Sequence, residues 1–143
     1  MEHPYVSLVS ILKTIYNKLK DDGILLVTNP SSKIYDKQYE WYSVNNDFIE
    51  NEKLDKKNNK FEEDQPVKLE VIESPDLTFT FSDYFHSENA YCKAYKLAKL
   101  QLLISHNPLG VEEDKIIWGS EKEHSPHIIH VLKKFRLIYS NFF

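Results

Sequence analysis

Three histidines, His124, His127 and His130, stand three residues apart in a chain of 143. Imidazole nitrogen is a common metal ligand, so the spacing invites a metal reading. That reading fails on geometry. If Ile128 to Leu132 is a strand, residues three apart point to opposite faces. A structural zinc also takes four ligands, and no cysteine or carboxylate is placed to complete the set. The sequence therefore leads to no metal site. His86 ends the aromatic run Tyr84-Phe85-His86. Its ring titrates near neutrality and has the chemistry of a general base, while packing or helix entry is the plainer role of Tyr84 and Phe85. Asn29, just before Pro30, either faces a ligand at a strand end or serves only a turn. Tyr35, Tyr39, Trp41 and Tyr42 either line a substrate lid or pack the polar stretch after them onto the body. Cys92 has no activating neighbour in sequence, which makes it a structural thiol.

These residues need elements to hold them. Leu8, Leu12, Ile15 and Leu19 recur at helical spacing and predict an amphipathic helix over 6–20. Lys18 and Lys20 complement its C-terminal dipole, and Gly23 stops it. Ile24 to Thr28 is apolar on both faces, the pattern of a strand buried in mid-sheet. Asn45 to Gln65 alternates Lys with Glu and Asp and reads as an exposed insertion, too short to be a domain. Val67-Leu69-Val71 and Leu77-Phe79-Phe81 each alternate with polar residues around Ser74-Pro75-Asp76, which predicts an antiparallel hairpin. Ser87 is an N-cap for a helix marked by Tyr91, Ala94, Tyr95 and Ala98. Leu100 to Ser105 and Ile128 to Leu132 read as strands. Val111 to Trp118 has room for a short helix, and the apolar tail from Phe135 to Phe143 is expected to dock. The whole predicts one layered α/β domain, with no internal repeat.

Composition narrows the function. The chain is 41% hydrophobic and 28% charged, enough to bury a core. Its net charge is −4, and Arg136 is its one arginine against 17 lysines. Bidentate recognition of phosphate or guanine favours Arg, so the composition argues against a nucleic-acid partner. One cysteine cannot form an internal disulfide, no apolar run reaches the roughly 18 residues of a membrane span, and Met1 to Pro4 does not resemble a signal segment. The expected location is cytoplasmic.

The order helix, strand, excursion, hairpin, helix, strand, strand resembles the second half of the class I S-adenosylmethionine-dependent methyltransferase fold. Ile15 to Val27 looks like that family's helix-to-strand junction, with Asp21-Asp22-Gly23 in place of Pro-Gly-Gly. Gln65 to Val71 followed by Phe79 to Ser87 is similar to a small-molecule, toxoflavin-type subgroup, whose added hairpin ends in an aromatic corner; His86 stands where that subgroup has Trp. Ala98-Lys99-Leu100 stands at its Ala-Gly-Phe, so the glycine is absent. Trp118 and Ser125 to Leu132 resemble the final connection and the antiparallel seventh strand. Each motif is weak alone, and together they span about residues 5–135.

The resemblance implies an incomplete Rossmann-like methyltransferase sheet, strands five to seven plus the hairpin, with flanking helices in three layers. It implies a small-molecule acceptor held by Asn29, Tyr39, Trp41, Tyr84, Phe85 and His86, with His86 the candidate catalytic group. It implies S-adenosylmethionine as cofactor. That family binds the cofactor with a glycine-rich turn, and Gly23, Gly110 and Gly119 lie too far apart to build one. The expectation is an acceptor-side portion that does not bind cofactor alone, completed by an N-terminal half-chain or a homo-oligomer. The alternative is a non-enzymatic interaction or dimerisation module of the same descent.

Overall fold

The computed structural model describes residues 4–48, 61–74 and 76–135. Most of the charged stretch, the Pro75 of the hairpin turn and the tail beyond Phe135 lie outside the described residues. Among the described residues, six strands make two antiparallel three-stranded sheets, accompanied by two α-helices. Helix α1 spans Pro4–Lys18, and strand β1 spans Ile24–Pro30. Pro4 opens α1 where a missing N–H is harmless. Strand β2 is Val44–Asn45, β3 is Pro66–Ser74 and β4 is Leu77–Tyr84. Helix α2, Glu88–Leu97, is followed by β5, Leu100–His106, and β6, His127–Lys134.

The first sheet has the order β1-β6-β5. Strand β6 is antiparallel to both neighbours, so β1 and β5 run the same way on either side of it. The register sets Leu25 beside Leu132, Val27 beside His130 and Leu102 beside Leu132. Residues paired in this way share a face. Both helices pack on that face, where Leu12, Tyr91, Ala94, Tyr95 and Ala98 close over Leu100 and Leu132. The expected third layer is absent among the described residues. Strand β1 is an edge rather than mid-sheet, because β6 takes the central place. Ile24 and Leu26 therefore lie on an open face, with Leu26 66% exposed and Ile104 of β5 57%. A bulge at Leu103 shifts the β5 register and turns Ile104 to the open side.

The predicted hairpin is present. β3 and β4 pair from Pro66↔Tyr84 to Ser74↔Leu77, and β2 pairs on the other side of β3. Val67 and Leu69 bury one face under Ile34, Tyr35, Trp41, Val44 and Phe85. The edges of the charged stretch are built in: Asn46 and Gln65 are buried, and Phe61 packs on this second core.

Two local departures have clear causes. Residues 111–118 form turns instead of a helix. The Asp114 carboxylate accepts from Trp118 Nε1 at 2.8 Å and from the Val111 N–H at 3.3 Å, bonds that compete with helical ones. Lys99, between α2 and β5, has φ of 59°. This left-handed conformation is the one glycine favours just past a helix end, and it falls where the resemblance expects glycine.

Candidate functional site

A cleft of about 290 Å³ opens at the end shared by β1 and β5, beside the start of α2. Four segments converge there. Pro30 lacks an N–H to extend β1. Ser31 then donates its N–H to Pro126 O at 2.8 Å, tying the strand end to the start of β6. The Ser31 hydroxyl caps a 3-10 turn, Ser32–Tyr35, by accepting from the Lys33 N–H at 3.1 Å. Lys33 turns back into the cleft, and its ammonium donates to His124 Nδ1 at 2.9 Å. On the α2 side, the Ser87 hydroxyl accepts from the Ala90 N–H at 3.2 Å. Glu88 follows in the first helical turn, where a carboxylate suits the helix dipole. The connection before β6 supplies Glu123, His124 and Ser125.

That connection is anchored by a buried carboxylate. Glu121 is 3% exposed and accepts from the Tyr42 N–H at 2.7 Å and the Gly119 N–H at 3.0 Å. Two charge-assisted bonds to backbone donors satisfy a group that would otherwise be costly to bury. They also fix the aromatic segment to the connection, and Tyr39 lies edge-on to His124 at 4.7 Å.

Asn29 and His130 line the cleft and join Tyr95 behind them in a hydrogen-bonded triangle. Asn29 Nδ2 lies 2.7 Å from Tyr95 Oη and 3.1 Å from His130 Nδ1, and Tyr95 Oη lies 2.9 Å from the same nitrogen. The amide nitrogen only donates, so Nδ1 offers a lone pair. Tyr95 accepts from Asn29 and donates its O–H in a hydrogen bond to Nδ1, whose one lone pair it shares with the Asn29 amide. Burial pushes the Tyr95 phenol up to about 12, the Asn29 hydrogen bond opposing, so it keeps that proton at neutral pH. Burial holds His130 below the usual histidine range, against the pull of Glu88. The neutral ring therefore carries its proton on Nε2. That N–H has no hydrogen-bond partner among the described residues, although His130 is fully buried. The Glu88 carboxylate stands 3.9 Å away, beyond hydrogen-bond reach.

The residues singled out from sequence disperse. Asn29 lines the cleft. Tyr39 packs behind it against Trp41, and Lys33 sits 5.8 Å from its ring centroid. Trp41 and Phe85 belong to the second core. Tyr84 is half-exposed at the end of β4. His86 is buried between the rings of Tyr5 and Tyr91, with Nδ1 3.6 Å from Asp64 and 3.8 Å from Glu63. None of these last four lines the cleft. Of the three spaced histidines, His130 faces the helices, His127 is half-buried opposite Pro30 at the end of the β1–β6 ladder, and His124 meets Lys33. Among the described residues no group of three His, Cys, Asp or Glu is placed to hold a metal ion. Burial raises the Cys92 thiol, as expected of a structural residue. Sequence reasoning missed Lys33, Glu88 and the Tyr95–His130 pair. Strand alternation held the signal for His130, since it shares a face with Ile128 and Leu132.

No protein-family model matches the chain, and no curated relative matches it. Among solved structures the chain is similar to an S-adenosylmethionine-dependent methyltransferase from Clostridium acetobutylicum, at 16% identity and a TM-score of 0.49. The similarity covers 93% of this chain and 55% of that one, so this chain spans about half of its length. No described helix is long and apolar enough to cross a membrane.

Proposed function

We propose that this chain is the acceptor-side portion of an S-adenosylmethionine-dependent methyltransferase acting on a small molecule. The observation that carries the reading is the first sheet. Its closing strand β6 runs antiparallel between β1 and β5, the direction that the resemblance gives the seventh strand. A cleft with convergent polar groups opens at the strand ends, where ligands of α/β sheets collect. The left-handed Lys99 at the glycine position supports the same descent.

In this reading the chain binds and orients the acceptor, excludes water around it and leaves the methyl donor to a glycine-rich segment that these residues do not contain. The open edge of β1 and the apolar face at Leu26 and Ile104 are where an N-terminal half-chain would sit. Calorimetric titration of the folded chain with S-adenosylmethionine and S-adenosylhomocysteine tests the division. The expected result is no saturable heat from the chain alone. Saturable micromolar binding would mean that the cleft and its neighbours build a cofactor site themselves, and would overturn the division.

The same open face favours a second reading, a non-enzymatic dimerisation module. Light scattering across a concentration series separates the two: a tight self-dimer that leaves the strand-end cleft unable to bind any small molecule favours the module.

A further inference from the structure

The cleft pairs two groups that do not satisfy each other. His130 Nε2–H is a donor with no partner, on a fully buried ring locked in place by Asn29 and Tyr95. Glu88 is an acceptor 3.9 Å away, on a side chain 58% exposed and free to adjust. A donor and an acceptor facing across one gap ask for a group that accepts and donates through a single atom. A carboxylate would meet His130 but be repelled by Glu88. An ammonium would suit Glu88 but leave the buried N–H unmet, which is costly. An ether oxygen would meet His130 and offer Glu88 nothing.

We infer that the cleft takes a hydroxyl-bearing small molecule, an alcohol or phenol, with its oxygen held by His130 Nε2–H and its proton directed at the Glu88 carboxylate. His130 is then a binding group, positioned by Asn29 and Tyr95, and Glu88 is the base. Lys33 and Glu123 stand farther round the wall for the rest of the molecule. The inference rests on the methyltransferase reading for its reaction. The hydroxyl oxygen forms a bond to the methyl carbon of a sulfonium donor. The carbon–sulfur bond breaks with its electron pair going to sulfur, and the hydroxyl proton passes to Glu88. The product is a methyl ether, which has lost its proton for Glu88 and so leaves more readily than the substrate.

Phenol and anisole differ by that one methyl group and serve as probes. The chain carrying 15N-histidine is titrated with phenol, anisole, benzoate and benzylammonium, and the His130 Nε2 resonance is followed. Phenol is expected to shift that signal saturably and to bind about tenfold tighter than anisole, the usual scale of one lost hydrogen bond to a charged group. Glu88→Ala, a change at an exposed position, is expected to bring the two ligands to nearly equal affinity. Equal binding of phenol and anisole to the parent chain overturns the inference, as does tighter binding of benzoate or benzylammonium. It also falls if the preference survives in Glu88→Ala, or if phenol leaves His130 unmoved, the result of a cleft that holds only water. No methyl donor is present in this titration, so its outcome stands apart from that of the cofactor titration.

Discussion

The two sheets bury their polar atoms in opposite ways. Beside the first sheet, Asn29, Tyr95 and His130 are all buried, and Asn29 Nδ2, Tyr95 Oη and His130 Nδ1 bond one another at 2.7 to 3.1 Å, which leaves only His130 Nε2 of that ring without a partner among the described residues. Beside the second, Tyr35, Phe61 and Phe85 pack their rings with centroids 5.3 to 5.5 Å apart. There the Tyr35 hydroxyl and Trp41 Nε1 are buried with no hydrogen-bond partner among the described residues. The aromatic core gains its stability from area and ring geometry. The first core spends some of its interior on a polar network, and that network aims one N–H at a cleft. A bonded buried polar group orients its neighbours, whereas an unbonded one contributes only its desolvation cost.

Cavity mutations probe the comparison most strongly. Leu132→Ala and Leu69→Ala each truncate a side chain buried at the centre of one core, and each is expected to cost about 3 kcal/mol. Urea unfolding followed by tryptophan fluorescence, with Trp118→Phe as background so that Trp41 alone reports, and by far-ultraviolet dichroism checks this. If the two sheets form one cooperative unit, both probes shift together in both variants.

A second contrast removes one oxygen from each core. Tyr95→Phe deletes a hydroxyl bonded to Asn29 and His130 and is expected to cost about 1–2 kcal/mol. Tyr35→Phe deletes a hydroxyl with no partner and is expected to be neutral or stabilising. Equal losses in the two variants would erase the distinction drawn between the cores.

Lys99→Gly relieves a left-handed lysine at the α2–β5 junction and is expected to raise stability by about 0.5–1 kcal/mol, measured as a higher urea midpoint. The pH dependence is smaller and graded. Burial lowers both His127 and His130 from the ordinary value of 6.5. The unfolded chain therefore takes up protons first as the pH falls, so these two groups favour the folded state fully above 6.5 and progressively less below it. Replacing His127 by Gln is expected to flatten the slope in a series of unfolding curves between neutral and mildly acidic pH.

Local patterns were readable along the chain and distant pairings were not. Alternation at Val67-Leu69 and Phe79-Phe81 located the hairpin, and Ser87 marked the start of α2, because each signal lies within a few residues of its effect. The edge position of β1 was hidden. An apolar run looks the same in mid-sheet and on an edge with one open face, and the order β1-β6-β5 is settled by pairing across about a hundred residues of chain. The candidate site shows the same limit. Asn29 was legible as a strand-end residue, but Tyr95 is 66 positions away and His130 is 101. Neither has a local pattern that announces the other. Lys99 was hidden for another reason: lysine does not signal a left-handed backbone.

The central place of β6 governs how the molecule can assemble. Among the described residues, strands β1 and β5 share no ladder, and each pairs with β6 alone, which follows both in the chain. The hairpin of β3 and β4 closes a short loop and can form as soon as Tyr84 has been made. On a ribosome the second sheet can therefore be complete while the first is still two separated strands beneath their helices. For that interval α1 and α2 cover apolar strands that have no ladder, and the waiting edges are open to chaperones or to wrong partners until Lys134 has emerged.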